Sequence, residues 1–162
     1  LQAIARGAAI PIERVAEGSG LRFGRLELEV LWPPREALSG PPGDRNEDAV
    51  VIVARFGPWG ALLSADAEQE VTHLDPGPVD VLKVAHHGSE DAGLEALLER
   101  SVPRVAHPTE ATTATLAEHG VCVLRTDVDG AASVELGPAG LRAWTEDGEP
   151  PLGRAGCDAP GG

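Results

Sequence analysis

The sequence predicts an α/β fold in which helices cover a mixed β-sheet, and three patterns support this prediction. Residues 26–31, LELEVL, alternate apolar and acidic side chains with a period of two, as in a strand with one buried face. Apolar runs such as 61–64 and 121–124 have the length of buried strands. Residues 93–100 and 112–119 have helical composition, so strands and helices alternate in the second half of the chain.

The first half of the sequence is rich in strands and turns. Pro33 and Pro34 end the strand at 26–31, because proline cannot donate a backbone hydrogen bond to a sheet. Residues 1–19 have no clear pattern and predict no particular element. The other predicted elements of this half are a loop at 35–47, strands at 49–56 and 61–64, and a hairpin turn at 57–60.

The second half predicts helices that pack on the sheet. Leu94, Leu97 and Leu98 share one face of the helix at 93–100, and Pro103 follows its end. The other predicted elements are helices at 67–74 and 112–119, strands at 81–85, 104–106, 121–124, 131–136 and 141–144, and a turn at 126–130. We expect a folded domain over residues 1–145 and a disordered tail rich in Pro and Gly at 146–162.

Composition limits the classes of function. No apolar run approaches the roughly 20 residues that a membrane-spanning helix needs. The 13 basic and 26 acidic residues give a formal net charge of -13, which argues against a general phosphate-binding surface. A metal-dependent phosphodiesterase can still be acidic, because its cations rather than its lysines contact the phosphate.

Cysteine and methionine usage gives two smaller expectations. Cys122 lies in an apolar run and Cys157 in a segment rich in Gly and Pro, so we expect a small core residue and no disulfide bond between them. Cysteine usage therefore indicates no compartment. The sequence contains no methionine, so we expect it to be a segment of a longer protein or a processed product.

The segment 80–89, DVLKVAHHGS, is the most informative part of the sequence. Its apolar strand ends at His86 and His87, and the run at 61–64 similarly ends close to Asp66. Ligands of α/β folds bind beyond the carboxyl ends of the strands, and imidazole is the commonest metal ligand. The pattern therefore predicts a functional site that includes these three side chains.

In this segment and several others, the sequence resembles the C-terminal metallo-β-lactamase-type domain of the ComEC family. Members of this family are membrane proteins that internalise DNA in natural competence. The HHGS sequence after a strand that contains lysine is the most specific feature, and the remaining pieces follow in the same order. The matching residues are 46–56, 62–66, 80–89, 125–127, Pro103, His107, Pro108 and Gly130.

The resemblance implies the fold, the chemistry and the partners. It implies the C-terminal half of a metallo-β-lactamase-like αββα sandwich, with Asp66 and His86 as ligands of a divalent metal, zinc or manganese. It further implies His87 or His107 as a proton donor and Arg125 as a contact to a nucleic-acid backbone. DNA would be the substrate, the membrane channel of the same parent protein the partner, and the outer side of the cell membrane the location.

Departures from the family pattern limit what this chain can do alone. No HxHxD motif is present, and no histidine precedes His73. Ala65 and Ala49 stand where the family usually has Gly and Ser. Because a catalytic zinc generally needs three protein ligands, we expect no complete active site in this chain. One expected consequence is that the chain by itself binds no metal. A half-sandwich should also be less stable than the whole domain, unless residues 1–30 rebuild the missing layer.

Simpler interpretations of the same residues remain open. Asp66 could cap the helix that follows it, His86 and His87 could be a surface pair, and Arg125 could form a surface ion pair. Three functions therefore stand at this point: a metal-dependent nuclease or phosphodiesterase completed by an upstream motif, a non-catalytic module of a membrane DNA transporter, and a metallohydrolase of small molecules.

Overall fold

A computed structural model describes residues 2–39, 46, 48–68, 72–89, 93–107, 110–137 and 140–146. Its main feature is a seven-stranded sheet in which the strands lie in chain order. The strands are β1 (Gly20–Phe23), β2 (Leu26–Trp32), β3 (Val51–Phe56), β4 (Trp59–Leu63), β5 (Val81–Lys83), β6 (Val105–His107) and β7 (Cys122–Val123). The other elements are the helices α1 (Gln2–Gly7), α2 (Leu94–Ser101), α3 (Glu110–Glu118) and α4 (Thr126–Asp129), short 3-10 helices at Arg35–Leu38 and His86–Gly88, and a separate hairpin of β8 (Ala132–Gly137) and β9 (Gly140–Thr145).

The sheet is mixed, as the sequence predicts. Strands β1 to β4 pair antiparallel, and β4 to β7 pair parallel. Helices α2 and α3 connect β5 to β6 and β6 to β7, because parallel neighbours need a crossover connection. The carboxyl ends of β4, β5, β6 and β7 therefore lie at one edge of the sheet.

One face of the sheet packs against α2 and α3 and forms the main core. Val53, Leu62 and Leu82 point to this face from neighbouring strands and are buried. They belong to one cluster with Leu97 of α2 and Leu116 of α3. The leucines at helical spacing in α2 thus pack where the amphipathic pattern predicts.

The opposite face, which we call the inner face, is also apolar but is only partly covered. The β8–β9 hairpin packs over its β6–β7 end, where Leu141 and Ala143 contact the buried Val105 and Cys122. Elsewhere on this face Leu63 has 42% of its surface exposed and Phe23 has 62%. Strands β1 and β2 extend the sheet, so residues 20–32 do not rebuild a second layer within the described part of the chain.

Several local predictions differ from the structure. The turn between β3 and β4 comprises Gly57 and Pro58 alone, because Trp59 and Gly60 already pair with β3. Ala67 and Glu68 are not helical, and residues 69–71 of the predicted helix at 67–74 lie outside the described residues. The predicted turn at 126–130 is the short helix α4 followed by Gly130. Most of the predicted tail, residues 147–162, also lies outside the described part.

The redox state of Cys122 also differs from the sequence-based expectation. It is buried in β7, as predicted, but it is disulfide-bonded, whereas the sequence suggested a free core thiol. Burial and an apolar run are typical of both states of cysteine, so the local pattern could not distinguish them. The other cysteine of the chain, Cys157, lies outside the described residues.

Candidate functional site

The sheet topology brings the candidate site residues to one edge. Asp66 follows the end of β4, His86 follows the end of β5, and His107 is the last residue of β6. Leu63, Lys83 and His107 occupy equivalent register positions on the three neighbouring strands. Because these strands are parallel, their carboxyl ends form a common rim, which is where α/β folds bind ligands.

A network of hydrogen bonds ties the loop after β4 to the loop after β5. Ser64 Oγ donates to the carbonyl oxygen of Lys83. Lys83 Nζ donates in return to the carbonyl oxygen of Ala65 at 3.1 Å, and the backbone N–H of His86 donates to the same oxygen at 3.0 Å. The Ala65 carbonyl thus joins the strand end that carries Asp66 to the one that carries His86.

The backbone of both loops adopts left-handed conformations. Ala65 has φ +49°, and His86, His87 and Gly88 have φ +43°, +53° and +86°. Left-handed backbone costs a residue with a Cβ roughly 1–2 kcal/mol, so the network described above must hold these turns in place. Of these four residues, Gly88 of the HHGS segment adopts its left-handed conformation without strain.

His86 is paired with Glu68, a residue to which the sequence pattern assigned no role. Its Nδ1 donates a hydrogen bond to Glu68 Oε1. This hydrogen bond raises the pKa of His86 above its usual value, and the negative charges of Glu68 and Asp66 add to the effect. Partial desolvation and the positive charge of Lys83 act in the opposite direction.

Asp66 and His87 form a long contact between exposed side chains. His87 Nε2 is 4.0 Å from Asp66 Oδ1, and these side chains are 82% and 49% exposed. The rings of His86 and His87 are 6.3 Å apart between centroids. Asp66, Glu68, His86 and His87 therefore form one partly exposed group, which we call the site cluster.

The remaining predicted residues are placed differently. His107 reaches the same rim through its backbone position, but its side chain lies outside what the structure describes. Arg125 follows β7, and its guanidinium contacts the carboxylate of Asp127 through Nε at 3.1 Å and Nη2 at 2.5 Å. Its side chain is only 16% exposed, so the contact to nucleic acid stays a prediction.

The donor types of the site cluster suit a divalent cation, but their arrangement does not complete a metal site. Among the described residues, no group of three His, Cys, Asp or Glu side chains is arranged to hold a metal ion. Catalytic zinc sites generally use three protein ligands. The residues present therefore do not by themselves fit a complete metal centre, and Nδ1 of His86 is hydrogen-bonded to Glu68.

Glu68 and Lys83 are the residues that sequence reasoning missed. The signal for Glu68 was an acidic residue two positions after Asp66, but its predicted place in a helix obscured the contact with His86. Lys83 was visible as the one charged residue within the apolar run 81–85. A lysine in such a strand needs hydrogen-bond acceptors, and the carbonyl groups of Ala65 and Val84 provide them.

The described helices include none that is both long and apolar enough to cross a membrane. Comparison of the sequence with protein-family models gives no match.

Two curated proteins are similar in sequence. ComE operon protein 3 of Bacillus subtilis is 32% identical over 142 aligned positions, which cover 78% of this chain and 18% of that protein. Competence protein ComA of Neisseria gonorrhoeae is 35% identical over 74 positions, covering 39% of this chain and 11% of that protein. The chain thus spans less than a fifth of the length of either curated relative.

A solved structure is similar in fold. The CmlA β-hydroxylase, as its E377D mutant, matches with a TM-score of 0.51 at 15% identity. The match covers 77% of this chain and 34% of that protein. This likeness concerns the fold, and the predicted fold class, a metallo-β-lactamase-like mixed sheet with covering helices, is confirmed.

Proposed function

Because the chain is homologous to a segment of the ComEC-type competence proteins, and its fold is of the metallo-β-lactamase type, we propose that it forms part of a metal-dependent nuclease or phosphodiesterase domain. In this proposal, the domain hydrolyses DNA during competence uptake, and this chain alone is inactive. The remaining metal ligands come from sequence outside the described residues.

One observation carries the proposal: Asp66, His86 and His87 come from the ends of neighbouring parallel strands and lie together at one rim. Asp66 and His86 would hold a divalent metal, zinc or manganese. Such a metal, when bound, polarises a phosphoryl group and lowers the pKa of water.

The residues of this chain have separate roles in the proposal. His87 is exposed beside Asp66 and could hold a proton for the leaving oxygen, and His107 at the same rim is the other candidate donor. Arg125 would have to leave Asp127 to reach a nucleic-acid backbone. DNA contact would therefore depend on bound cations rather than on a basic surface, in agreement with the net charge of -13.

The proposed location is the outer side of the cell membrane, beside the channel of the parent protein. The names of the curated relatives support a role in competence. The disulfide-bonded state of Cys122 supports the outer side, because disulfide bonds persist mainly in oxidising compartments.

The test compares this chain with a version extended by the upstream region of its parent protein. Metal content and hydrolysis of linear DNA are measured for both versions at defined salt, each with and without Asp66→Ala. We expect metal binding and DNA cleavage from the extended protein only, and loss of both on substitution.

The matched control is Glu118→Ala, which removes an exposed carboxylate at the end of α3, away from the site cluster. It should leave metal content and cleavage of the extended protein unchanged. If the extended protein with Asp66 intact binds no metal and cuts no DNA, the catalytic proposal is wrong.

A non-catalytic module of a membrane DNA transporter is the second candidate. The observation that favours it is that, among the described residues, no three potential metal ligands converge. This candidate predicts that Asp66→Ala leaves DNA uptake by the parent protein unchanged. A loss of uptake on this substitution would contradict it.

A further inference from the structure

Glu68 is the one member of the site cluster to which the proposed function gives no role. It lies two residues after Asp66, on the loop that follows β4, and reaches across to the loop that follows β5. Its side chain is about three-quarters buried. An acidic side chain in this position is costly to shield from water unless a partner stabilises its charge, and that partner is His86.

We propose that Glu68 is a positioning residue: it fixes the ring of His86 with the proton on Nδ1, so that Nε2 is the nitrogen through which His86 acts. This inference rests on the proposed function only in the statement that His86 acts chemically. The contact itself belongs to this chain and requires no metal.

The backbone around His86 restricts the ring before Glu68 contacts it. The N–H of His86 is bonded to the Ala65 carbonyl, and the same carbonyl is held by Lys83 Nζ. With φ at +43°, the backbone fixes the direction in which the side chain leaves the main chain. Rotation of the ring about its own bonds is then the remaining freedom, and Glu68 removes it.

The chemistry of imidazole determines the consequence. A neutral ring has one N–H donor and one nitrogen with a free lone pair, and a hydrogen bond at one nitrogen selects the tautomer. The carboxylate of Glu68 can only accept, so Nδ1 must carry the proton. The lone pair is then on Nε2, which is the atom able to ligate a cation or accept a proton.

A carboxylate behind a ligating histidine is a common supporting arrangement, since it orients the ring and makes its outer nitrogen more basic. Here that arrangement is formed by two loops at neighbouring strand ends. His87, with Nε2 facing Asp66 at 4.0 Å, lacks such a partner among the contacts of its ring that the structure gives. The two adjacent histidines therefore differ in their surroundings: the ring of His86 is held by Glu68, whereas the ring of His87 is exposed.

The test is nitrogen NMR of the histidine rings in this chain, at a pH where the rings are neutral. We expect the Nδ1 of His86 to resonate as a protonated nitrogen and its Nε2 as a bare one. Free histidine in water favours the opposite tautomer, so the expected pattern is distinctive. A His86 ring with its proton on Nε2 would overturn the proposal without any variant.

Variants separate the role of Glu68 from the stability of the fold. Glu68→Ala should shift His86 to the Nε2-protonated form, whereas Glu68→Gln keeps an acceptor oxygen and should retain the Nδ1-protonated form. Glu99→Ala, an exposed carboxylate of α2, is the control and should change nothing at His86. If Glu68→Ala folds and leaves the His86 tautomer unchanged, Glu68 does not position the ring.

This measurement does not involve DNA or catalysis. A failure of the extended protein to cleave DNA would refute the proposed function and leave the His86 tautomer as measured. A wrong tautomer would refute the role of Glu68 and leave the nuclease proposal to its own test.

Discussion

The pair of His86 and Glu68 makes folding stability depend on pH. The pKa of His86 is raised in the folded chain, chiefly by its hydrogen bond to Glu68. Below the unfolded value of about 6.5, the ring is charged in both states and the pair contributes its full stabilisation. As pH rises through the folded pKa, the ring loses its proton and this contribution is lost.

We therefore expect Glu68→Ala to lower the free energy of unfolding more at about pH 6 than at about pH 9. Urea unfolding of the wild type and the variant at both pH values measures the difference. Glu99→Ala on α2 should show no such dependence. A Glu68→Ala effect that is equal at both pH values would contradict the assignment.

Ala65 is a second residue whose local conformation leads to a prediction. Its φ of +49° lies in the left-handed region, where a residue with a Cβ is strained and glycine is not. Ala65→Gly should relieve this strain, although the added freedom of the unfolded chain offsets part of the gain. We expect the free energy of unfolding to stay the same or to rise by up to about 1 kcal/mol.

Ala67→Gly is the matched control for this substitution. Ala67 is fully buried two residues further on, and its φ is not positive. The same change there should lower the free energy of unfolding by roughly 1 kcal/mol, because it removes a packed methyl group and adds chain entropy. If both substitutions destabilise equally in urea unfolding, strain at Ala65 is not the reason that glycine suits this position.

At the scale of elements, two adjacent leucines of β4 point to opposite faces of the sheet. Leu62 points to the helix-covered face and is 1% exposed, whereas Leu63 points to the inner face and is 42% exposed. Leu62→Ala should cost about 2 to 4 kcal/mol of unfolding free energy, because it leaves a cavity in the core. Leu63→Ala should cost less than about 1 kcal/mol.

Urea unfolding of the two variants provides the comparison, and each serves as the control for the other. Similar losses for both would mean that the inner face of β4 is covered in solution. Such a result would contradict the half-sandwich architecture of this chain.

At the scale of the whole molecule, the inner face determines how independent this chain is. Apolar side chains continue along it from β1 to β5, where the cover is incomplete among the described residues: Val134 and Leu141 of the β8–β9 hairpin lie beside Trp59 and Val81, but Phe23 remains 62% exposed. Each square ångström of apolar surface removed from water stabilises by roughly 25 cal/mol, so an additional layer would add substantially to stability. This supports the expectation that the segment alone is less stable than a complete sandwich.

The corresponding prediction concerns a version extended by the upstream region of the parent protein. It should unfold at a higher urea concentration than this chain, and it should bind less of a dye specific for exposed apolar surface. Equal midpoints and equal dye binding would show that the inner face is not the packing surface of a second layer. Phe23→Ser is a useful companion variant, since it should reduce dye binding by this chain with little effect on its midpoint.

The amino-acid sequence was sufficient to predict strands β2 to β9, helices α2 and α3 and the residues at the strand ends, whereas β1 and α1 were not predicted. Period-two alternation gave β2, leucine spacing gave α2, and the HHGS segment identified His86 and His87. These features are local, since each depends on side chains within a few residues of one another. Resemblance to the ComEC family added the order of the pieces and the fold, and the similarity to the curated relatives confirms it.

Only the tertiary structure decided which of these side chains meet. The contact between Glu68 and His86 spans 18 residues of sequence, and the joint at the Ala65 carbonyl exists because β4 and β5 are neighbours. The disulfide-bonded state of Cys122 and the incomplete cover of the inner face could not be predicted either, because an apolar strand face has the same sequence pattern whether a helix, a hairpin or only solvent lies against it. Strands, helices and the residues at their ends can be predicted from adjacent residues. The contacts between distant loops depend instead on strand order and register.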